Sequence, residues 1–337
     1  MGAGEIMLFA DLNYQDFDWW HEQIDGAYMP GTNELEYFEH EGLFKNKSLN
    51  LGVVIGLNDY WNVSISQLFS ERCMEWEGPV DDNGNSLTVH HRSECSSSDF
   101  YNGNEQMAYG GILGDTKLNF RYLFENQGKG PGNRIFIGST LLIPSSYTIT
   151  ESPWVKSEQT LPDGTVVNTY TPHRHFYLSD GAYKLSAEIQ YFKKRVKIPV
   201  FWGGTFSYSF PLNKSEYGFK PSDRYELSMM ALSGPLKNVK SSMFMLSSIG
   251  LNYTIAYAGP SEWNGVRTPN SEAVMHIPGI SLLFGSNAGT FGVNIQKGYE
   301  EYLQKTENDI KEENSIYSVS ISYRKVLDKY IDRLYWK

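Results

Sequence analysis

The sequence predicts an all-β fold: a transmembrane antiparallel β-barrel of about 12 strands, with long extracellular loops and short periplasmic turns. Three observations predict it. Apolar and polar residues alternate in segment after segment. The connectors between those segments alternate between long and short. Aromatic residues cluster beside the short connectors.

The alternation is clearest in "YKLSAEIQYF", residues 183–192. Tyr183, Leu185, Ala187, Ile189 and Tyr191 share one face, and Lys184, Ser186, Glu188 and Gln190 the other. The pattern recurs in "LNLGVVIGL", "YWNVSISQL", "DTKLNFRYLF", "SIGLNYTIAY", "FGVNIQ" and "YSVSISYR". Successive strand side chains point to opposite faces, so each of these segments has one greasy and one wet side. Twelve strands are expected, near 5–17, 48–57, 60–70, 115–124, 134–144, 182–192, 198–210, 223–232, 243–257, 274–284, 290–300 and 315–324. The polar stretch "EEYLQKTENDIKEEN" is the only helical candidate.

The connectors decide which way the greasy face looks. Asn58-Asp59 predicts a tight turn, and "NQGKGPGN", "KKRVK", "SGPLKNVK" and "GSNAG" are also short. Segments 18–47, 71–114 and 145–181 are long. Long connectors all at one end are the signature of an outer-membrane barrel. Tyr60, Trp61, Tyr191, Phe192, Phe201, Trp202, Phe284 and Phe291 flank the short turns and are expected to form a periplasmic girdle. The greasy faces therefore point to lipid. Lipid offers no hydrogen bonds, so the sheet must close on itself.

Composition agrees. The chain has 337 residues, a net charge of −10 and 15% aromatics, including 23 Tyr. Mean hydropathy is −0.42, and no apolar run is long enough for a membrane helix. The acidic balance and the lack of a basic stripe argue against a nucleic-acid partner. The first residues lack the basic and apolar regions of a signal peptide. An outer-membrane protein needs export, so Met1 is expected to start a mature chain. Residues 1–324 are read as one barrel domain and 325–337 as a short periplasmic tail.

Function should then lie in the lumen. Alternation places Asp11, Asn13, Lys117, Asn119, Arg121, Lys184, Glu188, Glu226, Asn252 and Asn294 inside. Mixed signs imply ion pairs that either plug the interior or select what passes. Inward Phe136, Leu142 and Leu283 would narrow it.

Other constellations are weaker. Cys73 and Cys95, the only cysteines, are expected in the second long outer loop. An oxidising cell surface favours a disulfide between them, closing a loop of about twenty residues worth ~3 kcal/mol. His21, His40, His90, His91, His173 and His175 fall in expected outer loops without metal-ligand spacing. "DDNGNS" begins like a calcium loop, but Arg92 stands where the terminal Glu is needed. "HHRSECSSSDF" holds Ser and His side by side, which is not the geometry of a triad. No enzyme activity, metal or cofactor is expected.

Several stretches resemble one family. "GDTKLNFRYLF" is similar to the "GDT-x-L-x-x-R-Y" strand of the phenol-degradation meta-pathway outer-membrane transporters. "GSTLLIPSS", "DGAYKLSAEIQYF" and "WNGVRTPNSEAVMHIPGISLLF" follow in that family's order over roughly residues 48–300. The chain departs from it in its long first and second loops, its two cysteines and its ending "VLDKYIDRLYWK". The resemblance implies a barrel related to fatty-acid and aromatic-hydrocarbon channels, with no catalytic residues. The expected function is passage of a small hydrophobic or aromatic solute across the outer membrane. The alternative is an interaction barrel whose acidic outer loops bind a partner protein, glycan or metal.

Overall fold

The structure, a computed structural model, describes residues 1–21, 27–28, 35–36, 40–77, 112–127, 130–148, 156–160, 164, 166–170, 177–234, 245–268, 271–303 and 313–334. Twelve strands close into one antiparallel barrel. They are β1 (Glu5–His21), β2 (His40–Gly56), β3 (Trp61–Glu77), β4 (Leu113–Asn126), β5 (Gly132–Ile143) and β6 (Lys184–Lys194). The wall continues with β7 (Phe201–Pro211), β8 (Arg224–Leu232), β9 (Met245–Ala258), β10 (Ala273–Ser286), β11 (Gly289–Tyr302) and β12 (Glu313–Tyr330). Every strand pairs with its sequence neighbours, and β1 pairs with β12 to close the ring. Closure leaves no edge to satisfy, as a wall in lipid requires.

Large apolar side chains stand exposed all around the outer wall. Leu12, Leu51, Ile65, Phe120, Ile189, Leu251, Ile280, Ile295 and Ile321 are among them. Such a surface is a liability in water and a requirement in a bilayer. The turn at Asn58-Asp59 forms as the sequence predicts. The Asn58 Oδ1 accepts the backbone N–H groups of Tyr60 and Trp61, each at 2.8 Å.

Four strands run further than the alternation indicated. β1 continues to His21, β2 begins at His40, β3 continues to Glu77 and β12 to Tyr330. At the outer ends the lipid-side positions turn polar: Lys47 pairs in register with Glu71, and Lys45 with Cys73. Apolar alternation stops where lipid stops, while the backbone ladder needs no particular side chain and continues. Residues 325–330, expected in the tail, are strand, with Val326 opposite Met7 and Tyr330 opposite Glu5. The expected helical stretch starts inside β11, and its residues 304–312 lie outside the described ones. Among the described residues there is no helix.

At the extracellular end the loops after β7 and β9 build a small cap. Phe219–Lys220, Glu262–Trp263 and Val266–Arg267 form a three-stranded sheet. Phe219 and Trp263 are buried, their rings 5.1 Å apart, with Tyr177 packed against them. The hairpin turns at Asn264-Gly265, with φ of 49° and 84°. Both values are left-handed, which a tight primed turn demands and Asn-Gly supplies.

Candidate functional site

Neighbouring residues in β6 define the two sides of the wall. Gln190 is 8% exposed, and Ile189 beside it is 49% exposed. The polar row therefore faces the interior, where it meets side chains of neighbouring strands.

The central ion pair joins strands two apart. Arg121 on β4 is in register with Gly138 on β5, which is in register with Glu188 on β6. Arg121 Nε reaches Glu188 Oε1 at 3.3 Å, and Gln190 Nε2 donates to the same oxygen at 3.2 Å. Gly138 makes the reach available, because a Cβ there would come within 2.4 Å of Glu188 Oε1.

The same device recurs across the barrel. Asn252 on β9, Gly279 on β10 and Gln296 on β11 are in register. Asn252 Nδ2 donates to Asn294 Oδ1 and to Ser281 Oγ, both at 2.8 Å, and Gln296 Nε2 donates to Asn252 Oδ1 at 3.1 Å. A Cβ on Gly279 would lie 2.5 Å from that Oδ1. Each amide thus finds partners, which is what makes a polar interior tolerable.

Nearer the periplasm, Asp11 is held by Arg324 through two contacts, at 2.8 and 3.0 Å. This two-point geometry is the strong form of a guanidinium–carboxylate pair. The guanidinium also lies 5.0 Å over the Phe9 ring, and a Cβ on Gly52 would overlap that ring. Asn13 accepts from Ser318 at 2.9 Å. Arg324 was not among the expected site residues, although it closes the polar row Ser318, Ser320, Ser322; extending that row by one pleat finds it.

The remaining expected residues scatter. Asn119 donates to Thr140 Oγ1 at 2.7 Å. Glu226 accepts from Ser228 at 3.2 Å and lies 3.4 Å from Arg224. Lys117 is exposed and makes no hydrogen bond or ion pair among the described residues. Lys184 pairs with Asp180 in the outer loop rather than joining Arg121 and Glu188. That loop is tied to the wall nearby: Asp115 accepts the Ser145 N–H at 2.9 Å, and Arg72 donates to the Tyr177 carbonyl at 2.6 Å. Lys184 therefore belongs to the mouth.

The girdle divides. Tyr191 and Trp202 meet edge to face at 5.6 Å on the lipid side. Phe192 and Phe201 stack at 5.3 Å on the other side, with Phe136 beside Phe192 at 6.5 Å. Adjacent strand residues cannot both face lipid, so two of the eight expected girdle residues, Phe192 and Phe201, line the interior.

Cys73 stands in β3, not in a loop, and its side chain and the whole of Cys95 lie outside the described residues, as does their pairing. So do His90, His91, His173 and His175, the "DDNGNS" segment and "HHRSECSSSDF". His21 and His40 are register partners at the tips of β1 and β2.

No family model matches the chain, and no curated protein matches its sequence. Solved structures do match. An outer-membrane channel from Pseudomonas putida F1 aligns over 97% of this chain and 97% of its own, with 12% identity and a TM-score of 0.53. The chain is an outer-membrane β-barrel. The toluene transporter of Pseudomonas putida aligns over 95% of this chain and 89% of its own, at 8% identity and a TM-score of 0.40. The translocator domain of an autotransporter from Neisseria meningitidis aligns over 95% and 88%, at 7% identity and 0.38.

Proposed function

We propose that the barrel passes a small hydrophobic or aromatic solute across the outer membrane. The observation that carries this reading is the makeup of the interior. Two ion pairs stand in it, Arg121 with Glu188 and Arg324 with Asp11. Toward the periplasmic end the inward surface carries aromatic rings: Phe9, Phe136, Phe192 and Phe201. Paired charges leave little net field to attract an ion, and ring faces favour an apolar or aromatic guest. The motif resemblance supports the aromatic class, and the similar barrel from Pseudomonas putida F1 is a channel. In this reading Asp11, Lys117, Asn119, Arg121, Lys184, Glu188, Glu226, Asn252 and Asn294 line the route, and Arg121 with Glu188 sets its charge preference.

Planar-bilayer recordings of Arg121→Glu, combined with melting, test the reading. Wild type should show small discrete openings with weak ion selectivity, reduced by benzyl alcohol. The variant should shift the reversal potential toward cations at low salt, less so at high salt because ions screen the added carboxylates. A silent wild type with an intact barrel would instead favour the interaction barrel. A variant that melts early without a selectivity shift would make the pair a structural plug, since it leaves Glu188 facing a second carboxylate.

A further inference from the structure

The end of β6 and the turn after it carry Lys193, Arg195 and Lys197 in a chain of net charge −10, while Lys194 has the inward parity of Gln190 and Phe192. Among these cations stand Val196, 81% exposed, and Ile198, 76% exposed, the most exposed large apolar side chains among the described residues. The two other short turns that are described throughout differ: 57–60 carries Asp59, and 287–288 carries no charge.

We propose that this turn is an anchor for anionic phospholipid headgroups of the periplasmic leaflet. Its depth follows from its neighbours. Tyr191 and Trp202, in contact on the lipid face, mark the membrane–water boundary directly above it. The Arg195 N–H donates to the Val200 carbonyl at 2.7 Å, and the Val200 N–H to the Leu232 carbonyl at 3.0 Å. Only residues 196–199 therefore extend beyond the ladder. A four-residue turn folded back on itself reaches about 7 Å. That is the thickness of the headgroup layer on one side of a bilayer. At that depth a branched apolar side chain enters the acyl boundary, and a cation meets phosphate. Lys193 is in register with Trp202, which puts its ammonium within reach of the same layer. The rim at 57–60, a third of the way around the barrel, carries Asp59 and offers no such attraction.

The experiment is native mass spectrometry of the protein released from phosphatidylcholine nanodiscs containing a minority of phosphatidylglycerol. Wild type should retain phosphatidylglycerol enriched about fivefold or more over its share of the disc, as expected for several cations at a lipid surface. The combined variant Lys193→Gln, Arg195→Gln and Lys197→Gln should retain the two lipids in disc proportion. Heat-modifiability on gels checks that it is folded. Should it fail to fold, wild type at high salt gives the readout, because screening must shrink the enrichment. No enrichment in wild type overturns the proposal, as does a folded variant or a high-salt sample that keeps the full enrichment. Wild type that binds soluble polyglutamate while showing no lipid preference assigns the turn to an acidic soluble partner and also overturns it.

Discussion

Ile189 in the wall is 49% exposed, whereas Trp263 in the extracellular cap is 5% exposed. Both are apolar, both sit in β structure, and they are buried in opposite directions. The wall turns its apolar row outward and holds its polar row inside; the cap buries Phe219 and Trp263, with Tyr177 packed against them. The difference is the solvent each meets. Lipid takes apolar side chains at no cost and rejects unpaired polar groups, while water does the opposite. A single chain therefore carries two hydrophobic patterns with one sheet geometry, and the border between them lies where outward positions change from Leu49 and Leu51 to Lys45 and Lys47.

Three substitutions probe that contrast, in falling order of effect. Trp263→Ala should cost about 3–5 kcal/mol, as an aromatic removed from a water-excluded core does. The loss should stay in the cap: limited proteolysis should open segments 212–223 and 259–268 while heat-modifiability of the barrel is unchanged. A barrel that melts with the cap would show that the two regions are one cooperative unit.

Ile189→Arg should cost about 2–4 kcal/mol if it lies near the midplane, and Ser186→Arg much less. Urea unfolding after refolding into vesicles measures both. Equal tolerance at the two sites would mean that the assignment of faces is inverted.

Gly138→Ala should cost about 1–3 kcal/mol, because the added methyl overlaps Glu188 and separates it from Arg121. Gly130→Ala serves as the control, since nothing lies within 4 Å of its would-be Cβ. The same unfolding assay should resolve the first and show almost no effect for the second. Two equal shifts would mean that overlap with the ion pair is not what the methyl does.

The strand count, the closed barrel and the sense of each face were legible because one face meets lipid, and lipid enforces strict alternation over the whole spanning stretch. The inward positions of Arg121, Glu188, Asn252 and Asn294 followed from the same rule. The cap was legible only locally. "WNGVR" holds the Asn-Gly dipeptide of a tight hairpin, a signal present in the sequence that the family motif overshadowed. The outer ends of β1, β2 and β3 were not legible, since polar residues stand there on both faces and only backbone pairing marks the strand.

By itself the sequence determined which residues look inward, since a period of two needs no knowledge of neighbours. It could not determine their partners. Whether Glu188 meets Arg121 or Lys184 depends on the register of three strands and on a glycine between them, and a shift by one residue would turn every side chain to the other face. Lys184 and Asp180 are four residues apart in the chain, yet their meeting also depends on how the outer loop is tied down by Arg72 and Asp115. Arg324 and Asp11 lie at opposite ends of the chain and become neighbours only because the barrel closes. Facing is a property of one strand in its solvent; pairing is a property of the closed sheet.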